Sequence, residues 1–218
     1  MRGTPINADK FYRKNISHRD HGEHKVSAGG EIFRLKIVLM DCKPSVWREV
    51  EIASSTTLAR LHDVLQVLMD WEDCHLWAFE AGEKRFEPPD PETNTKLTAG
   101  DDPNRMTLGA LLRGRGASLR YNYDFGDDWW VDIQLAAVGD PQPNVRYPRC
   151  LAGERAGPPE DCGGPHRFEE LLKARKNPKR RGAEELLEWV GPDWDPEAFD
   201  LAVVNKALSA LPAPRRLH

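Results

Sequence analysis

EIFRLKIVLMDCKPSVWREVEIASSTTLARLHDVLQVLMDW, residues 31–71, decides the fold. The run 31–40 is rich in β-branched and large apolar residues and reads as a largely buried strand. Cys42-Lys43-Pro44-Ser45 makes a turn. VWREVEI (46–52) then alternates, with Val46, Val50 and Ile52 on one face and Trp47, Glu49 and Glu51 on the other. Together they form a β-hairpin. Ser54, Ser55, Thr56 and Thr57 supply N-cap candidates. Leu58, Leu61, Val64, Leu65, Leu68 and Met69 recur at helical spacing, giving an amphipathic helix that ends near Trp71. Hairpin followed by packed helix is the opening of a β-grasp-like layout.

Outward from this core, HLWAFEA (75–81) and KRFE (84–87) read as a second hairpin turning at Gly82, followed by a Pro- and Asp-rich loop, PPDPETN. Thr107 caps a short helix carrying Leu108, Leu111 and Leu112. SLRYNYDF (118–125) and WWVDIQLAAV (129–138) make a third hairpin around Gly126-Asp127-Asp128. The expected class is α+β, three hairpins in a mostly antiparallel sheet over 31–138. A Pro/Gly-rich loop without regular structure follows over 139–165, then C-terminal helices over 166–206 and a tail, 207–218. FEELLKARK, AEELLEWV and PEAFDLAVVNKALSAL each carry an apolar stripe, with Pro196 at a first helical turn.

Residues 1–30 form a polar arm with six Lys/Arg against three acids and with His18, His21 and His24. It shows no apolar period to bury. The formal net charge of −4 gives the whole molecule no field that would draw it to nucleic acid or anionic membranes. The opening lacks the apolar core of a signal peptide, and no run is long enough to span a bilayer. The cytoplasm is the expected compartment, with Cys42, Cys74, Cys150 and Cys162 as reduced thiols.

LKIVLMDCKPSVWREVEI, TLARLHDVLQVLMDWEDCHL, YNYDFGDDWW, YPRCLAGERAGPPEDCGGPHRFEELL and DWDPEAFDLAVVN, standing in this order, resemble the plasmid pRiA4b ORF-3-like family over roughly residues 31–206. The resemblance implies an α+β domain without an established activity, often carried on mobile DNA and in some members given a TnpR (resolvase-like) label. That label does not carry over, because the only Ser before residue 27 is Ser17, in the polar arm. The family pattern also implies a His at positions 77 and 132 and a Cys at 157, a plausible zinc set beside His75. This chain has Trp77, Asp132 and Gly157 there, which leaves His75, Cys150 and Cys162, and possibly Asp132. Packed His and buried thiols explain those residues at less cost, so no cofactor is expected and zinc is the one candidate.

Candidate chemistry concentrates in the stiff loop Tyr147–Pro165 and the neighbouring acidic turn. Asp124, Asp127, Trp130, Asp132, Arg149, Glu160 and Asp161 are the candidate ligand- or partner-binding residues. Asp and Gly at 124–128 also fit a tight bend, and Arg–carboxylate pairs in the loop could simply satisfy one another. Lys173, Arg175, Lys176, Lys179, Arg180 and Arg181 form a basic run suited to phosphate contact, or to a solvated helix C-terminus between Glu169–Glu170 and Glu184–Glu185. No Walker loop, dinucleotide fingerprint, nucleophile elbow or HExxH string occurs. The residues therefore favour a non-catalytic binding or adaptor domain with a protein or small-ligand partner. A nucleic-acid-binding accessory protein is the alternative, and an enzyme with a metal or Cys150-centred site a distant third.

Overall fold

The computed structural model describes residues 30–89 and 101–212. The polar arm before residue 30, with its three His, most of PPDPETN and the end of the tail lie outside the described residues. Seven strands form one antiparallel sheet: β1 (Ile32–Leu39), β2 (Trp47–Ala53), β3 (Trp77–Ala81), β4 (Lys84–Phe86), β5 (Ser118–Tyr123), β6 (Trp129–Gly139) and β7 (Arg149–Glu154). Their order is β4-β3-β5-β6-β1-β2-β7, so the fold is α+β. Five helices are described: α1 (Leu58–Met69), α2 (Leu108–Leu111), α3 (Gly164–Lys176), α4 (Ala183–Val190) and α5 (Leu201–Ala210).

Period-2 patterning sends Leu35, Ile37, Val50, Ile52, Tyr121, Val131 and Ile133 to the face on which α1 lies, and all are buried in one continuous core. Thr57 starts α1 by accepting a hydrogen bond from the Arg60 amide at 3.3 Å. Asp70 stops it in the left-handed region at φ 60°, which a short polar side chain tolerates. The other face of the sheet is open, with Arg34 and Gln134 exposed and Lys36, Trp47, Trp130 and Asp132 half-buried.

Two expectations need correction. The 139–165 stretch contains a strand: β7 pairs antiparallel with β2, from Glu51↔Arg149 to Trp47↔Glu154. Its sequence, RCLAGE, has no β-branched residue to announce it. Pairing is imposed by the unsatisfied outer edge of β2. The new edge is closed in turn by Asn205 of α5, whose side chain accepts from the Cys150 amide at 2.8 Å and donates to its carbonyl at 2.9 Å. The last helix, secondly, begins at Leu201 and not at Pro196, because Asp200 Oδ1 accepts from the amides of Ala202 and Val203. Pro196 precedes it in a turn, its carbonyl accepting from the Ala156 amide.

Arg48 ties these parts together. It lies in the inward phase of β2 and is 2% exposed. Its Nε donates to the Leu68 carbonyl at the end of α1 (2.9 Å). Nη1 donates to Trp47 (2.8 Å) and Glu154 (2.9 Å), and Nη2 to Arg155 (2.8 Å). Phe199 covers the guanidinium at 4.6 Å. Burial pushes its pKa down to about 10, so it stays charged at neutral pH. Nearby, Gly157 crosses α1 so closely that a Cβ would sit 2.0 Å from the Met69 carbonyl oxygen.

Replacing Arg48 by Leu removes the donor from one buried and three part-buried carbonyls, and chemical denaturation should register a loss of about 3 kcal/mol. A loss under about 0.5 kcal/mol, the size of an ordinary surface substitution, would show the clamp to be idle. Gly157→Ala should cost roughly 2 kcal/mol in the same measurement, through steric overlap with a backbone that cannot rotate away.

Candidate functional site

Three segments meet beyond the C-terminal end of α1: the link 70–76, the turn 124–128 and the loop 155–163. Trp71 anchors the first. It is 7% exposed, stacks on Tyr123 at 4.7 Å and donates from its indole nitrogen to the Pro158 carbonyl. The Glu72 amide donates to Glu160 Oε2 at 2.9 Å. Asp127 Oδ2 accepts from the Gly163 amide at 2.9 Å, tying the turn to the loop. Asp124 and Asp161 adopt left-handed φ of 52° and 55°. Asp124 Oδ1 accepts from the Gly126 amide within its own bend.

This packing brings His75 against three carboxylates. Its Nε2 lies 3.0 Å from Asp161 Oδ1, 3.6 Å from Glu160 Oε1 and 3.7 Å from Asp124 Oδ2. Nε2 is shielded from solvent yet has no hydrogen-bond partner, since the near oxygen of Asp161 lies off the direction its N–H would take. Tyr123 holds the ring edge-on at 5.9 Å. Cys74, next in the chain, is exposed, and its thiol falls within ligand reach of His75 and Glu160.

The predicted residues thus separate. Asp124, Glu160 and Asp161 converge with His75, and Asp127 anchors the corner. Arg149 lies elsewhere, on β7, where it binds Glu51 Oε2 through Nε (2.8 Å) and Nη2 (2.7 Å), while Arg34 takes the other oxygen at 3.0 Å. Burial raises the Glu51 carboxyl, but these bonds outweigh it and leave the group below its usual range. Trp130 and Asp132 are on the open face. Arg120 stacks over Trp130 at 5.0 Å, and burial raises the Asp132 carboxyl. Cys150 and Cys162 are buried, and neither joins His75 in any cluster of ligand atoms among the described residues. Burial pushes the Cys162 thiol up to about 12, the behaviour of a packed thiol.

In the basic run, Lys173 pairs with Glu169 and Glu170 at 3.0 Å each and Arg180 with Glu170 at 2.6 Å. Arg175 donates to the Pro192 carbonyl. Lys176, Lys179 and Arg181 have no such partner among the described residues.

Two features escaped the sequence reading. The first is a groove of about 510 Å³ between the end of α1, the loop 156–160 and α5, walled by Trp194, Phe199 and Val203. The second is a buried polar ring. His62 is hydrogen-bonded through Nε2 to Asp73 Oδ1 (2.7 Å) and through Nδ1 to the Tyr121 hydroxyl (2.7 Å). That hydroxyl accepts from Gln66 Nε2, whose Oε1 accepts from the Asp73 amide. A signal existed, because His62 and Gln66 sit four apart on the apolar stripe of α1, where polar groups need buried partners.

Residues 31–203 match the description "Plasmid pRiA4b ORF-3-like protein". The chain belongs to this family. It is 35% identical over 187 residues to an uncharacterized protein of Sinorhizobium fredii, covering 84% of this chain and 93% of that one. A crystal structure of a protein of unknown function from Methanosarcina mazei Go1 is 30% identical and superposes with a TM-score of 0.68. The match covers 79% of this chain and 96% of that one. Neither of these two pRiA4b ORF-3-like relatives is described with an activity. No described helix of this member is long and apolar enough to cross a membrane.

Burial lowers the His62 imidazole below its ordinary value of 6.5, outweighing the opposing pull of Asp73. Unfolding releases a group that takes up a proton more readily. Its stabilising contribution is therefore complete above the unfolded value and is lost as pH falls toward the folded one. The thermal midpoint should drop on acidification below about pH 6.5, with a shallower slope in His62→Gln. Equal slopes in the two proteins would exclude this imidazole as the cause.

Proposed function

We propose that this pRiA4b ORF-3-like protein is a non-catalytic binding domain. Its groove takes a segment of a partner protein that combines apolar side chains with Lys or Arg. The observation that carries the reading is the groove's lining. Solvent-facing Val203, 62% exposed, stands with Phe199 and Trp194 among four carboxylates, Asp70, Glu72, Glu160 and Asp200. The single cation of the lining, Arg48, is sunk in the floor and occupied by four carbonyls. A concave apolar surface rimmed by acids favours a cationic, apolar occupant and disfavours nucleic acid. Pro158 and Pro159 stiffen one wall, so little ordering entropy is lost on docking.

The non-catalytic part of the reading rests on the His–carboxylate pair that is hydrogen-bonded among the described residues. Asp73–His62 ends on the Tyr121 hydroxyl, whose proton is held firmly because burial raises its pKa well above the ordinary value. The family description names a plasmid reading frame, which supports an adaptor carried on mobile DNA. A second reading, a nucleic-acid accessory role, draws support from Lys176, Lys179 and Arg181 alone. It requires affinity that falls steeply with salt and disappears when these three are neutralised.

A displayed peptide library panned on the full chain, with counter-selection on Val203→Arg, tests the first reading. Recovered peptides should pair apolar residues with Lys or Arg and should bind Val203→Arg at least about tenfold more weakly, ~1.4 kcal/mol. Peptides that bind both proteins equally, or that are acidic, would overturn it.

A further inference from the structure

We propose that His75, Asp124 and Asp161, with Glu160 beside them, form a binding site for one divalent transition-metal ion of the zinc class. The spacing of the ligand atoms around His75 is the first support. Around a tetrahedral ion with bonds of about 2.0–2.1 Å, neighbouring ligand atoms stand roughly 3.3 Å apart. The three oxygens lie 3.0, 3.6 and 3.7 Å from His75 Nε2, distances that bracket this edge. The ligand atoms of His75, Asp124 and Asp161 all lie within 4.8 Å of one another, whereas Glu160 groups with His75 and Cys74.

The second support is the state of the nitrogen. A buried imidazole nitrogen that points into three carboxylates without bonding to any of them is an expensive arrangement by itself. A cation between nitrogen and oxygens removes the expense, because the nitrogen then offers its lone pair and not a misdirected proton. No Lys or Arg among the described residues pairs with Asp124, Glu160 or Asp161, so the negative charge of this corner has His75 as its only titratable counterweight.

Orientation of the carboxylates is the third. Asp124 uses Oδ1 to accept from the Gly126 amide and leaves Oδ2 toward His75. Glu160 uses Oε2 to accept from the Glu72 amide and leaves Oε1 toward it. In each case a backbone N–H fixes one oxygen and turns the other toward His75, the usual way a surrounding shell aims a metal-binding carboxylate. Imidazole nitrogen, with the Cys74 thiol at the rim, favours zinc over magnesium, which prefers oxygen alone and keeps its waters.

This site goes beyond the groove reading and does not depend on it, although Glu160 borders both. The metal is therefore tested alone, without peptide. The full chain, stripped by chelator dialysis, is titrated with Zn²⁺ by calorimetry and with Co²⁺ by visible absorption. One ion per chain should bind, millimolar Mg²⁺ should not compete, and Co²⁺ should give the intense visible bands of a tetrahedral site. Asp161→Asn, at a side chain 70% exposed, and His75→Ala should each weaken Zn²⁺ at least about tenfold. The same variants should keep the wild-type far-UV circular dichroism and groove-peptide affinity. Absence of saturable Zn²⁺ binding to the full chain, or unchanged affinity in Asp161→Asn, would overturn the proposal. Loss of peptide binding in Val203→Arg with Zn²⁺ affinity intact would separate the fates of the two readings.

Discussion

One buried guanidinium holds the architecture in register. Arg48 reaches the last turn of α1, its own strand, the end of β7 and the start of the 155–163 loop, and each contact is made to a backbone carbonyl. Carbonyls at a helix end and at strand ends are the groups left over when secondary structure stops. Five fixed N–H donors on one planar cation satisfy several of them at once, which a Lys ammonium could not do. The arrangement avoids burying a carboxylate partner, whose own desolvation would offset much of the gain. Its consequence is positional. The loop leaves β7 in a fixed direction, runs over Met69 at Gly157, and delivers Glu160 and Asp161 to the end of α1.

Charge is handled in three ways in this fold, and the contrast explains where binding is expected. Around Arg48, one cation is matched by partial charges of carbonyls. On the open face, Glu51 is matched by Arg34 and Arg149 in a closed set that leaves little for a ligand. At the His75 corner the match is incomplete, with three carboxylates and one imidazole nitrogen lacking a hydrogen bond. Structural groups are matched to one another, whereas a group held in place but left unsatisfied is a candidate for a ligand.

The groove and the corner share Glu160 and the Pro158–Pro159 wall, so they are two sides of one loop. Trp71 locks that loop to the sheet by stacking on Tyr123 and bonding to Pro158.

Patterning alone was enough for much of this. Apolar composition marked β1 as a buried strand, period-2 alternation assigned the inner face of β2, helical spacing assigned α1, and Pro/Gly density with charge pointed to the 147–165 loop. Asp124, Glu160 and Asp161 were legible as candidates because acids on stiff turns stand out in any sequence. Arg48 was visible only as a polar residue in an apolar phase, as were His62 and Gln66, and no local rule names their partners. The strand in RCLAGE, the start of α5 at Asp200 and the meeting of His75 with carboxylates 49, 85 and 86 positions away were settled by tertiary structure. The reason is the range of the forces involved. Side-chain period and turn chemistry act between neighbours in the chain, whereas edge pairing, carbonyl capture by Arg48 and convergence of charge act across space, between segments brought together only when the sheet closes.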